Sequence, residues 1–267
     1  LVAIEWLKVK RSKVSDDHAD DIWRSLEKYT FLLIGDVPIT KITAPMTISA
    51  LRPLEAQGSL ETVKRQCQRI NEVMTFALNV GLIDQNPLLG IKEAFLVPKK
   101  NNMPTLNPSE FSAFLKDLYK ASAKFETRCL IEFQLHTMVR PSEAAGALWT
   151  EIDLDAKLWT IPAGRMKKKR PHKIPLTPQM IDLLNAMASR TGHRQHIFCG
   201  YRNPRVSMNS QTANMALKRM GYRGRLVAHG LRSLASTILN EAQFPQDIIE
   251  SALAHVDQNE TRRDYNK

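Results

Sequence analysis

Apolar positions recur at helical spacing along most of the chain, with one interruption. Residues 16–30 place Ile22, Trp23, Leu26 and Tyr29 along one face. A second segment starts at Pro45 and Thr47, contains Pro53 and ends near Gly58. The stretch from Ser59 to Val80 is the most regular. Ser59 stands at the N-cap, Leu60, Val63, Cys67, Ile70, Met74 and Ala77 share one face, and Gly81 ends it. Asn86-Pro87 in DQNPLLGI then breaks the pattern and leaves room for one short helix. Residues 96–105, LVPKKNNMPT, carry two prolines and no periodicity, and read as an extended linker. The pattern predicts a helical domain over 1–95, a linker over 96–105 and a second domain over 106–267.

The second domain opens on Asn107-Pro108-Ser109-Glu110, a capping box with proline at the first helical position. One helix follows with Phe111, Phe114, Leu115 and Leu118 inward, then another from Phe125 to His136. Arg140 precedes Pro141 and therefore lies at a bend, with Glu143 on the first turn of the next helix. Between Ile152 and Leu176 the period drops to two: Lys157–Pro162 and Lys173–Leu176 read as strands joined by AGRMKKKRPH. Helices are predicted over 178–189 (Met180, Ile181, Leu183, Leu184, Met187) and 209–220 (Ala213, Met215, Ala216, Leu217), with a short strand from His196 to Cys199 before the second. Two amphipathic helices close the chain, one over 229–241 and one ending at His255 with Ile248, Ile249, Ala252 and Leu253 inward. The fold class expected is mainly α with a small antiparallel β-sheet.

Composition narrows the partner. A formal charge of +11 suggests a polyanion, and the excess is uneven: Lys plus Arg exceed Asp plus Glu by 14 to 12 over residues 1–104 and by 24 to 15 over residues 105–267. Cys67, Cys129 and Cys199 are scattered and lack CxxC or His-x3-His spacing, so neither a disulfide framework nor a zinc site is indicated, and His172, His193 and His196 are better explained by loops and strand edges. No apolar run approaches the about 18 residues a membrane helix needs. A cytoplasmic protein is expected. The chain opens on Leu1 rather than Met, and a piece of a longer protein is expected.

Candidate chemistry gathers late. His229 and Arg232, at i and i+3 on one helix, leave the same face and suit an anion. His255 closes the following helix, and Tyr265 comes ten residues later beside Arg262 and Arg263. Upstream, Arg140 and Glu143 form RPSE, and Lys167, Lys168 and Lys169 sit in the strand connection. Exposed cations are expected at Lys64, Arg65 and Arg69 beside Gln68, at Lys99 and Lys100, and at Arg202, Arg205, Lys218, Arg219, Arg223 and Arg225, where they suit phosphate backbone better than base edges.

HGLR, then LAH, then the tyrosine of RRDYNK, with RPSE upstream, resembles the tyrosine recombinases, especially the integrases of prophages and genomic islands. The resemblance covers nearly the whole chain, though the helical part is matched by layout and the NPLLGI turn. It implies a core-binding domain and a catalytic domain that close around duplex DNA. It implies that Arg140 and Arg232 bind the scissile phosphate with Glu143 buttressing, and that a lysine of the hairpin serves as general acid. Lys167 is favoured by its place after IPAG, with Lys168 and Lys169 as phosphate contacts; the choice among the three stays open. His229 would assist proton transfer, His255 would hydrogen-bond the phosphate, and Tyr265 would form a 3'-phosphotyrosyl link without metal, ATP or other cofactor. Attachment-site DNA, a tetramer on DNA built from free monomers, an accessory directionality factor and association with the nucleoid are the implied setting. Integrases of this kind usually carry a small N-terminal domain and a tail beyond the tyrosine, neither of which the sequence shows. The alternatives are a non-catalytic or degenerate integrase, strand passage like that of a type IB topoisomerase, and, least favoured, a metal-dependent nuclease.

Overall fold

The computed structural model describes residues 1–99 and 102–255. The described residues fall into two compact units, divided between residues 101 and 102. Lys100 and Tyr265 lie outside the described residues.

The first unit contains α1 (Val2–Arg11), α2 (Asp16–Leu26), α3 (Leu32–Ile34), α4 (Ala44–Ala56) and α5 (Leu60–Asn79). A π turn over Glu27–Phe31 joins α2 to α3. Its wide winding favours i+4 over i+3, so Thr30 takes the buried position after Leu26 and Tyr29 is only half-buried. Thr30 Oγ1 donates to Gln66 Oε1 (2.9 Å), and Gln66 is fully buried on α5 where periodicity alone expected no polar group. Ser59 occupies the N-cap of α5 without a side-chain bond, whereas Thr43, not anticipated, caps α4 by accepting from Met46 N (3.4 Å). Val63, Cys67, Ile70, Met74 and Ala77 are buried as expected, while Leu60 is half-buried. Asn86 Oδ1 accepts from Leu88 N (2.9 Å), turning the chain so that Leu88 and Ile91 reach the core.

The second unit contains α6 (Phe111–Lys120), α7 (Phe125–Thr137), α8 (Pro141–Ala145), β1 (Ile152–Asp153), β2 (Leu158–Ile161), β3 (His172–Pro175), α9 (Pro178–Thr191), α10 (Gln211–Leu217), α11 (Gly230–Glu241) and α12 (Gln246–Ala252). The strands form one antiparallel sheet in the order β1-β2-β3, with Trp159 opposite Ile174 and Ile161 opposite His172. Helix α7 is buried on most of its sides, Thr127, Gln134 and Thr137 included, because it separates two cores. Leu130 and Phe133 pack with Trp159, Ile161 and Phe198 on the sheet side, and Ile131 and Leu135 pack with Phe114, Leu217, Leu231 and Leu234 on the other.

Three expectations in this unit are corrected. Residues 196–199 form no strand; His196 and Cys199 each make a single bridge, to Leu148 and Ser207, because neither neighbour runs alongside for a second pair. Met215 is 51% exposed, since at about 100° per residue it lies one step from Ala216 and two from Ala213 and Leu217, off the face they share. Ile248 is 56% exposed, because Ile249 and Leu253 take the inward positions of α12 against Met138.

The end of the expected linker is bound to the second unit. Pro104 O accepts from Val227 N (3.3 Å), and Thr105 Oγ1 donates to the Gly230 carbonyl (2.8 Å). The approach explains the glycine of HGLR: a Cβ at position 230 would lie 2.2 Å from Pro104 O. Gly230→Ala is expected to destabilise this unit by about 1–3 kcal/mol, as overpacking does, and to lower its urea midpoint without changing the slope.

Candidate active site

Four elements supply the site. Helix α7 ends at Thr137, and Met138 turns left-handed (φ 54°), donating its N–H to Gln134 O (3.0 Å). The chain then runs extended into Arg140, which starts α8. Glu143 Oε2 accepts from Arg140 N and Glu143 Oε1 from Arg140 Nη1, both at 2.9 Å, so the carboxylate fixes backbone and guanidinium together. Glu143 is 3% exposed.

Arg232 is buried on the first turn of α11. It donates through Nη1 to the Met138 carbonyl and through Nη2 to the Leu253 carbonyl (2.8 Å). One arginine therefore ties the end of α7 to the end of α12 while its fork keeps donors free for a ligand. Burial lowers its pKa to about 10, the charge of Arg140 adds to the effect, and Glu143 opposes it. The two arginines thus lie close enough to feel one another's charge, and Arg232 feels that of Glu143 as well.

His229 is the N-cap of α11, on a loop held by two side chains: Ala228 N donates to Asn214 Oδ1 (2.7 Å), and Gln134 Nε2 donates to the Ala228 carbonyl. Its pKa is lowered by burial first, then by Arg232, Arg140 and Lys167. Lys167, Lys168 and Lys169 are all exposed in the connection between β2 and β3, and Lys167 is the one whose charge is felt at His229. His255, just past α12, turns its ring to Glu250 Oε2 (2.6 Å). Tyr265, outside the described residues, is not placed.

The strand-edge reading of His172 missed its surroundings. The residue begins β3 opposite Ile161, its Nε2 is buried without a partner among the described residues, and burial lowers its pKa, with Glu143, Ala252, Arg232 and Arg140 also acting on it. Its period-two position facing the core was the available signal. Both His172 and His229 stay neutral in the folded unit at pH values where the unfolded chain, titrating near its ordinary 6.5, already binds protons. Their contribution is complete above that value and is lost as pH falls from it through the lowered folded values. Between pH 7.5 and 5.5 the urea midpoint of this unit is expected to fall, and to fall less in His172→Asn.

The proposed backbone contacts divide. Lys64, Arg65, Lys99, Lys168, Lys169, Arg202, Arg205, Lys218, Arg219, Arg223 and Arg225 are exposed. Arg65 pairs with Glu61 (3.3 Å), and Arg225 pairs with Glu110 and lies over the Tyr222 ring. Arg69 is half-buried and donates to Ser25 Oγ, so it serves the packing of α5 on α2 as well. No group of three or more His, Cys, Asp or Glu suited to a metal occurs among the described residues.

A mostly helical unit with a three-stranded antiparallel sheet has counterparts among known proteins. The chain belongs to the phage integrase family: residues 104–267 match the phage integrase family proper and residues 1–94 its central domain. It is 52% identical to prophage integrase IntA of Escherichia coli (strain K12), over 100% of this chain and 65% of that protein, and 32% identical to the integrase of Enterobacteria phage P4, over 99% of this chain and 63% of the relative. The chain thus spans slightly under two thirds of these relatives. Its fold is that of a lambda integrase tetramer bound to a Holliday junction (TM-score 0.77, 18% identity, 97% of this chain and 77% of that one). It is also that of the Tn1549 transposon integrase in complex with circular intermediate DNA (TM-score 0.70, 15% identity, 98% and 93%).

Proposed function

We propose that the protein is a site-specific recombinase that cleaves and rejoins duplex DNA through a 3'-phosphotyrosyl intermediate, integrating or excising a mobile element. The observation that carries this reading is the meeting of Arg140, Glu143, His229 and Arg232, with the charge of Lys167 bearing on His229, in a chain of the phage integrase family.

The phenolic oxygen of Tyr265 attacks the scissile phosphorus, and the bond from phosphorus to the 5'-oxygen breaks. Charge gathers on the non-bridging oxygens, where Arg140 and Arg232 present planar, preorganised donors. His229, neutral because it is buried beside cations, accepts the phenol's proton. Lys167 gives a proton to the departing 5'-oxygen, and His255, once turned from Glu250, donates to the phosphate. The phosphotyrosyl bond keeps the energy of the original diester, so a 5'-hydroxyl from another strand can reverse the step without a nucleotide cofactor. Residues 1–95 serve as the core-binding domain, with Lys64, Arg65, Arg69, Lys99 and Lys100 on phosphates. In the second unit Lys168, Lys169, Arg202, Arg205, Lys218 and Arg219 do the same. These contacts make affinity steeply salt-dependent. A tetramer on attachment-site DNA, assembled from monomers and steered by an accessory factor in the nucleoid, completes the reading.

The test uses duplexes selected for binding from a random pool, then nicked near the bound centre so that cleavage releases a short strand and traps the protein. A covalent adduct mapped to Tyr265, absent in Tyr265→Phe and formed in the presence of chelator, is expected. Unchanged DNA handling by Tyr265→Phe would identify a binding protein instead. Relaxation of supercoils without joining of two sites would identify a topoisomerase.

A further inference from the structure

Two residues before Lys167, Arg165 makes contacts that neither the motif nor the proposed chemistry uses. It closes a short 3-10 turn, Ala163–Arg165, and Met166 beyond it is buried, so this end of the connection is anchored while the three lysines stay exposed. Arg165 Nη2 donates to the backbone carbonyl of Glu143 (2.7 Å), and Nη1 donates to Glu151 Oε1 (2.6 Å). Glu151, 9% exposed, is itself fixed: its Oε2 accepts from Trp159 Nε1 (3.0 Å) on β2 and from Leu148 N (3.3 Å). The guanidinium also lies against the backbone after α8, where a Cβ on Gly146 would stand 2.9 Å from Nη2. A chain of bonds thus runs from the Arg140 guanidinium through Glu143 to Arg165 and so to the start of the lysine segment.

We propose that Arg165 is a positioning residue that sets Lys167 relative to the Arg140–Glu143 pair, using Glu151 as its anchor. The inference rests on the reading of Lys167 as the proton donor to the 5'-oxygen. A rigid link is needed because an exposed lysine on a ten-residue connection samples many rotamers, and proton transfer requires its ammonium within hydrogen-bond reach of one particular oxygen. A planar fork holds a carbonyl on one element and a carboxylate on another in fixed geometry, whereas the three donors of an ammonium radiate from one nitrogen on a flexible stem.

The test compares single-turnover cleavage of two nicked duplexes, one with the ordinary 5'-oxygen and one with sulfur in its place, a leaving group that departs without a proton. Arg165→Lys is expected to lose about 100-fold on the oxygen substrate, the scale of a general acid's contribution, and to recover to within a few-fold of wild type on the sulfur substrate. DNA affinity and melting temperature are expected to stay near wild type. The double variant Arg165→Gln/Glu151→Gln, which removes both charges together and leaves no unpaired buried carboxylate, is expected to show the same rescue. Lys167→Ala serves as the reference. If it is rescued by sulfur while both Arg165 variants stay slow on both substrates, or lose nothing on either, the positioning role is overturned and the Lys167 assignment stands. If Lys167→Ala itself is not rescued, the assignment beneath the inference has failed.

Discussion

Arg232→Ala is expected to reduce single-turnover DNA cleavage about 1,000-fold while leaving duplex affinity within a few-fold of wild type. The loss in rate follows from removing a preorganised donor from the developing charge, which in other enzymes costs about 100- to 1,000-fold. Arg232 sits at the upper end because it also holds the site together through the Met138 and Leu253 carbonyls. Without it both carbonyls lose a charged donor, and the end of α12, next to His255, loses its tie to α7. Affinity is spared because many exposed lysines and arginines share the phosphate contacts. Arg232→Lys should do little better, since one ammonium cannot reach two carbonyls and a phosphate together. Cleavage within tenfold of wild type in Arg232→Ala would remove this residue from the reaction.

The second large effect concerns stability. Glu143→Ala is expected to destabilise the second unit by about 3–5 kcal/mol, the cost of leaving a partly buried charge unpaired. Glu143 accepts two bonds from Arg140 and opposes the shift that Arg140 imposes on Arg232. Its loss leaves two guanidiniums repelling one another and frees the N-terminus of α8. Glu143→Gln keeps the size and an acceptor for Arg140 N, and should lose less. Urea denaturation followed by Trp fluorescence, with the two units' transitions resolved, measures the difference. Equal midpoints for wild type and Glu143→Ala would show that the carboxylate does not hold the pair.

In this chain the local signals are the legible ones. The capping box at Asn107–Glu110 forms, with Asn107 N donating to Glu110 Oε2 (3.1 Å), because all its partners lie within one turn. The bend at Arg140 follows from the proline after it, and the buried stripe of α5 follows from spacing. Expectation and structure differ where a distant partner decides the outcome. Ile248 is apolar and suitably spaced, yet Ile249 and Leu253 of the same helix meet Met138 instead. Gln66 is polar and buried because Thr30 and Ser25 on another helix satisfy it.

The site shows the same division. RPSE, HGLR and the lysine run can be found by eye, because each is a short string whose residue types suit an anion. His172 is marked only by its period-two position, and the bonds that make Arg165 and Glu151 matter join elements that are not adjacent in the chain.

Amino-acid order alone determined the helices, the place of the small sheet, the basic bias of the second unit and the residue types available for phosphate chemistry, since propensity, periodicity and charge act over one or two turns. Only the folded unit decided that Arg232 would be held by carbonyls 94 and 21 residues away and that Arg165 would join the lysine connection to Glu143. Those contacts arise when two cores pack on opposite sides of α7, and the resulting burial strengthens and orients charges that would be weak and mobile in water.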